Sequence, residues 1–187
     1  MKNFKFFKLL FCILSFLSYS NAMAYEEANY EIVKKNEIFE IRKYSNRLAV
    51  ETVEYNQNSS FRKLFKYISG NNKTNQEIKM TTPVTQIEKN GNMTMQFYLP
   101  LKFEENTVPK PINEDVKIVN IEGGYYAVII YSGRTTDKNF IKHKNILEKE
   151  LLNNKISIIS LPIRATYNGP FTLPMLRRNE AMFKIVF

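Results

Sequence analysis

The 187-residue chain contains one cysteine, Cys12, and one histidine, His143. A single histidine excludes a multi-histidine metal centre. Cys12 lies inside an apolar N-terminal run, and its removal with that segment would leave no thiol nucleophile and no disulfide. The chain also lacks a G-x-S-x-G nucleophile elbow. Pairs such as Glu104-Glu105 and Glu148/Glu150 read as solvated faces rather than paired catalytic carboxylates. These absences point away from an enzyme. The apolar run Leu9 to Leu17 falls short of the roughly 20 residues that a spanning helix requires. Nor is there a concentrated basic stripe: acids interleave with the bases, as in Glu37, Glu40, Glu51 and Glu54 among Lys34, Lys35, Arg42, Lys43 and Arg47. That pattern is a solubility feature rather than a nucleic-acid footprint.

What is present begins with an export signal. Lys2, Lys5 and Lys8 precede the apolar run, and Ala22-Met23-Ala24 then forms an A-x-A cleavage site, so residues 1–24 read as a secretory signal peptide. Residues 25–187 would remain as one exported domain, periplasmic or secreted and expected to be a monomer. Losing three lysines and no acids lowers the formal charge of +9 to +6. Without disulfides such a domain relies on its core, and 44% hydrophobic residues over this length suffice for one.

The remaining chain alternates short β-like runs with two helical ones. Tyr30–Val33, Ile38–Tyr44 and Leu48–Glu54 read as strands. Asn58-Ser59-Ser60 supplies an N-cap, Phe61, Leu64, Phe65 and Ile68 follow at helical spacing, and Gly70 stops the helix. Val84–Ile87 and Met93–Leu99 flank an Asn90-Gly91 hairpin turn, with Met93, Met95, Phe97 and Leu99 on one face. Val116–Ile121 and Tyr125–Tyr131 are strands around Gly123-Gly124, and Thr135 or Thr136 caps a helix from Asp137 to Leu152 with Phe140, Leu147 and Leu151 inward. Strands at Ile156–Leu161, Ile163–Tyr167 and Met182–Phe187 complete the chain. Leu48 to Leu99 and Tyr125 to Phe187 therefore share the order strand, helix, strand, strand, and Ala49-Val50 answers Ala127-Val128. The expected fold class is α+β: two duplicated halves forming a distorted antiparallel barrel or sheet with two flanking helices.

Between the last strands lies YNGPFTLPMLRRNE, Tyr167 to Glu180. Gly169, Pro170 and Pro174 forbid a regular element there, yet the stretch is apolar and ends in two arginines. FRKLFKYISGNN, KMTTPVT, a connection containing PKPI, and YNGPFTLPMLRRNEAMF occur together in that order, and together they resemble the SOUL haem-binding family over roughly Tyr30 to Phe187. The resemblance implies the duplicated architecture also seen in gyrase-inhibitor-like proteins, and a tetrapyrrole such as haem as ligand. It further implies a pocket formed by the first helix and the Pro-rich loop. A flat apolar plate with two propionates calls for apolar walls and basic groups at the mouth. The wall candidates are Phe61, Phe65, Met80, Phe171, Leu173 and Met175, and the propionate candidates are Arg62, Lys66, Arg177 and Arg178. Core packing competes for Phe61, Phe65 and Met80, and pairing with Glu180 competes for the two arginines. His143 lies outside the dense motifs, so a surface or satisfied role is expected for it, and the metal ligand stays open between Tyr67, Tyr167, Met80 and none. The function expected is reversible tetrapyrrole binding by a carrier, buffer or scavenger. The alternatives are a non-haem small-molecule sensor using the same cleft and an interaction protein using the Pro-rich loop.

Overall fold

A computed structural model of the chain describes residues 25–187; the expected signal peptide, residues 1–24 with Cys12, lies outside the described residues. The strands are β1 (Glu26–Glu27), β2 (Tyr30–Lys35), β3 (Glu40–Tyr44), β4 (Arg47–Glu54), β5 (Thr81–Thr82), β6 (Val84–Lys89), β7 (Asn92–Tyr98), β8 (Lys117–Ile121), β9 (Gly124–Tyr131), β10 (Ser157–Ile158), β11 (Ile163–Thr166) and β12 (Asn179–Val186). Helix α1 (Gln57–Ile68) falls between β4 and β5, and α2 (Asp137–Asn153) between β9 and β10. One curled antiparallel sheet runs β2-β3-β9-β12-β11-β6-β7-β4-β8, with β10 also paired to β12, while β1 and β5 form a separate parallel pair. Among the described residues no helix is long and apolar enough to cross a membrane.

The duplication is visible in this order. β4-α1-β6-β7 and β9-α2-β11-β12 are equivalent units, and exchanging them maps β3-β9-β12-β11-β6-β7-β4-β8 onto its own reverse. The halves meet where β6 pairs with β11, Ile87 opposite Ile163 and Thr85 opposite Ala165. They also lend strands to each other: β3, which leads into β4, pairs with β9, and β8, which leads into β9, pairs with β4. The sequence match of Ala49-Val50 to Ala127-Val128 is one residue out of step with this symmetry. Val50 packs with Leu64 under α1, whereas Ala127 packs under α2 and Val128 points to the opposite face. A slip of one residue in a strand exchanges its faces, so the true counterpart of Val50 shares the parity of Ala127.

Strand alternation divides the sheet cleanly. Val50, Met95, Phe97 and Leu99 pack with Leu64, Tyr67 and Ile68 of α1, and Ala127, Ile129, Tyr131, Phe183 and Ile185 pack with Leu147 and Leu151 of α2. Thr136 caps α2 as expected, accepting from the Asn139 amide at 3.3 Å. α1 begins earlier than its expected cap: the Asn56 side chain accepts from the Asn58 amide at 2.9 Å. Ser59 and Ser60 lie inside the first turn and donate back to the Asn56 carbonyl, a bond that serine forms readily within a helix. The strand expected at Ile156–Leu161 contracts to β10, because β11 occupies the same edge of β12 from Asn179 to Met182 and only the end of β12 beyond it is left to pair.

Arg42 and Arg47 are not solubility charges; both are buried. Arg42 and Glu180 are each fully buried, and one guanidinium nitrogen of Arg42 reaches both Glu180 oxygens at 3.1 Å. Arg42 Nε also donates to Glu40 at 2.8 Å, and its guanidinium lies 4.2 Å over the Tyr30 ring. Glu180 accepts further bonds from the Tyr167 hydroxyl at 2.9 Å and from Arg178 at 3.0 and 2.8 Å. Burial opposes the charge of Arg42, but Glu180, Tyr44 and Glu40 together outweigh it and hold the guanidinium pKa above its ordinary value. This network joins β3 to β12 and fixes both ends of the Pro-rich loop. Removing one member strands a buried charge, so Glu180→Ala should cost about 3–5 kcal/mol in urea unfolding, with Arg42→Met plus Glu180→Leu recovering much of it. A single-variant loss of about 1 kcal/mol, typical of an exposed pair, would show that the network does not organise the fold.

Candidate functional site

On the sheet face away from the helices, the seam between the halves opens into a cleft of about 320 Å³. Period-two alternation supplies its walls. Tyr126 on β9 and Met182 on β12 turn into the cleft because Ala127, Ala181 and Phe183 turn to α2, and Tyr98 on β7 does so because Phe97 turns to α1. Ile87 and Ile163, directly opposed across β6 and β11, add aliphatic surface at the seam. Tyr44 and Tyr167 close the side nearest the Arg42–Glu180 network.

Three charged side chains line this cleft. Lys184 and Glu122 pair with each other at 3.2 Å. Arg47, at the start of β4, is only 7% exposed, and none of its three guanidinium nitrogens finds a hydrogen-bond partner among the described residues. Its guanidinium carbon lies 4.7 Å from the centroid of the Tyr98 ring. Burial lowers its pKa, and Tyr98, Glu26, Tyr167 and Tyr44 offset this only in part. The tyrosines shift the other way: burial raises Tyr44 and Tyr98, and it pushes Tyr126 up to about 12 with a contribution from Glu122.

The expected binding residues divide into three groups. Phe61 and Phe65 stand on one row of α1 with their rings stacked at 5.9 Å and 13°. They are 43% and 50% exposed, and Phe61 also meets Phe97 edge-on at 5.2 Å. Arg62 and Lys66 form the adjacent row, both exposed, and Met80 is half-buried against the core beneath the same helix. Phe171, Leu173 and Met175 lie elsewhere, exposed on the Pro-rich loop, with Phe171 at 99%. That loop is fastened near the start of α2, where the Gly133 amide donates to the Pro174 carbonyl at 2.8 Å, whereas α1 packs on β4 and β7. The duplication explains this separation, because each strand-strand hairpin lies beside its own half's helix.

The third group is spent on structure or lies at the cleft. Arg177 donates to the carbonyls of Pro170 at 2.6 Å and Thr172 at 2.8 Å, holding the loop's shape. Arg178 is bound to Glu180 and Glu27 and lies 3.8 Å over the Tyr167 ring. Tyr167 lines the cleft, its hydroxyl committed to Glu180. His143 is satisfied as expected: it stacks on Tyr131 at 4.1 Å, and its Nδ1 lies 2.8 Å from the Asn139 carbonyl, on the helix side of the sheet. No cluster of three or more His, Cys, Asp or Glu occurs among the described residues. The residue that sequence reasoning missed is Arg47. Its one available signal was parity, since it alternates with Leu48 and Val50, both of which face α1.

The buried tyrosines imply a pH dependence. Tyr126 and Tyr67 both have phenol pKa values raised by burial to about 12, above the unfolded value of about 10. The folded state holds these protons more tightly, so their contribution is complete below pH ~10 and is lost as pH rises from ~10 to ~12, on the order of 2–3 kcal/mol for each group. Urea unfolding across that window should show falling stability; a flat profile would mean that the phenols ionise without opposing the fold.

The sequence matches the family described as SOUL heme-binding protein over residues 25–184. No curated protein matches it. In fold it is similar to the C-terminal domain of EcmrR, with a TM-score of 0.59 and 13% identity over 84% of this chain and 98% of that one. It is also similar to a hydrolase from Listeria innocua, with a TM-score of 0.59 and 7% identity over 82% and 94% of the two chains. A conserved protein from the same organism gives a TM-score of 0.56 and 8% identity over 87% and 94%. At such identities the likeness is one of fold alone. With the duplicated strand-helix-strand-strand sheet on one side and a family match spanning almost all of the described chain on the other, the protein belongs to the SOUL haem-binding family.

Proposed function

We propose that this protein is exported and binds a tetrapyrrole reversibly on the outer face of α1, as a monomeric carrier, buffer or scavenger rather than an enzyme. The observation that carries this reading is the stacked, half-exposed pair Phe61 and Phe65 beside the cationic row of Arg62 and Lys66. Two aromatic rings left in water forgo about 25 cal/mol for each Å² they could bury, and a flat macrocycle recovers that area while stacking on them. Residues i and i+4 are neighbours on a helix surface, so the aromatic and cationic rows run side by side. Arg62 offers a fork of donors to one carboxylate and Lys66 a mobile point charge to another. Met80 adjoins α1 and extends this surface, whereas Phe171, Leu173 and Met175 are exposed on the loop beside α2 and lie apart from it.

Recognition of the ring and its propionates, with iron incidental, agrees with the placement of His143 against Tyr131 on the other half's helix. Haem and iron-free protoporphyrin should therefore both bind residues 25–187 saturably and one-to-one. Phe61→Ala with Phe65→Ala should weaken both by roughly tenfold or more. Arg62→Gln with Lys66→Gln should weaken the free acid more than the dimethyl ester, and His143→Ala should leave the haem Soret band in place. Binding of haem alone, or a Soret shift in the histidine variant, would replace this reading with one in which the protein ligates iron. Export is checked by mass: the protein recovered from the exported fraction should begin at Tyr25.

A further inference from the structure

We propose that the cleft between the two halves is a second binding site, separate from the α1 face, for a small amphipathic carboxylate anchored by Arg47. Among the described residues three arginines with buried side chains face the interior, and two of them have resident carboxylates. Arg42 has Glu40 and Glu180, and Arg164 has Asp137 at 2.7 Å. Arg47 has none, although all three of its guanidinium nitrogens are buried without a partner. Holding an unpaired cation in that position is costly, and only part of the cost is offset by the Tyr98 ring beneath it. A carboxylate entering the cleft would supply the missing partner, and a guanidinium presents donors in the fork that such a group accepts bidentately.

The rest of the cleft defines the body of the ligand. Because Lys184 is already neutralised by Glu122, the charge left over is the single positive one of Arg47. Ile87, Ile121, Ile163 and Met182 provide aliphatic wall, and Tyr126 keeps its hydroxyl turned to the Glu122 carbonyl at 3.0 Å, leaving its ring to the cleft. A hydrated inorganic anion gains nothing from such walls, and an organic cation is repelled by Arg47. At about 320 Å³ the cleft sits at the small end of the ~300–1,000 Å³ range for ligand pockets, room for one ring and a short chain but not for a tetrapyrrole. The two sites therefore differ in size as well as position. A porphyrin on α1 lies across the sheet from Arg47, so the carboxylate is that of a free acid, and competition with protoporphyrin checks this.

The test is calorimetric titration of residues 25–187 with phenylbutyrate, phenylbutanol and inorganic phosphate. Phenylbutyrate should bind one-to-one and at least about tenfold more tightly than the alcohol, with phosphate failing to compete. Arg47→Met should abolish the preference for the acid, and Arg47→Lys should keep part of it. Because Arg47→Met removes an unpaired buried charge, it should fold at least as stably as the parent in thermal melts. It should also leave protoporphyrin binding unchanged, just as Phe61→Ala with Phe65→Ala should leave phenylbutyrate binding unchanged. Equal binding of acid and alcohol, retention of the acid by Arg47→Met, competition by phosphate, or absence of acid binding overturns the anchor. Displacement of phenylbutyrate by protoporphyrin overturns the independence of the sites. Loss of porphyrin binding with phenylbutyrate retained would sink the tetrapyrrole reading and leave this one standing.

Discussion

The buried pair of Arg42 and Glu180 is the constraint around which the second half of the molecule is arranged. Two fully buried charges from residues 138 positions apart tie β3 to β12 across the intervening β9. Glu180 then collects the Tyr167 hydroxyl and the Arg178 guanidinium, and so pins both ends of an irregular loop that has no ladder of its own. A consequence for function follows. Arg178, positioned by sequence to greet an anionic ligand, is committed to neutralising Glu180 and Glu27, and Arg177 to the loop carbonyls. Cations near an apolar loop are as readily structural as functional, and their partners decide which.

Duplication accounts for the presence of two different surfaces suited to ligands. One sheet with pseudo-twofold symmetry has a face covered by the two helices and another that is open where the halves join. The open seam becomes a cleft. The helix-covered face exposes only the outer sides of α1 and α2, and there the halves have diverged. α1 carries the stacked phenylalanines, whereas the one ring stack of α2, His143 on Tyr131, is turned toward the sheet. Arg47 has likewise no counterpart in the second half: β9 opens with Gly124, whose positive φ of 124° favours glycine, where β4 opens with the arginine.

The fold by itself does not choose between these uses. Structures as different in name as the EcmrR C-terminal domain and a Listeria innocua hydrolase share it at 13% and 7% identity. Function on such a scaffold resides in the few side chains that face its cleft and its helix surfaces.

Local pattern specified most of the elements, though not the short β1 and β5, the length of β10 or the cap of α1. Helical spacing in Phe61, Leu64, Phe65 and Ile68, the Asn90-Gly91 turn with φ of 54° and 77°, the Gly70 stop and the Thr136 cap all express short-range sterics and hydrogen bonding. The repeated strand-helix-strand-strand order was legible for the same reason, and so was the aromatic and cationic pairing of rows on α1. Only the tertiary structure decided partners. Which arginine would be buried with a carboxylate and which without, why Ala49-Val50 and Ala127-Val128 face opposite ways, and why α1 and the Pro-rich loop lie in separate halves all depend on contacts between residues far apart in the chain. Such contacts leave no period in the sequence. Arg42 and Arg47 look alike there, because their difference consists in Glu180, which the fold brings to one and not to the other.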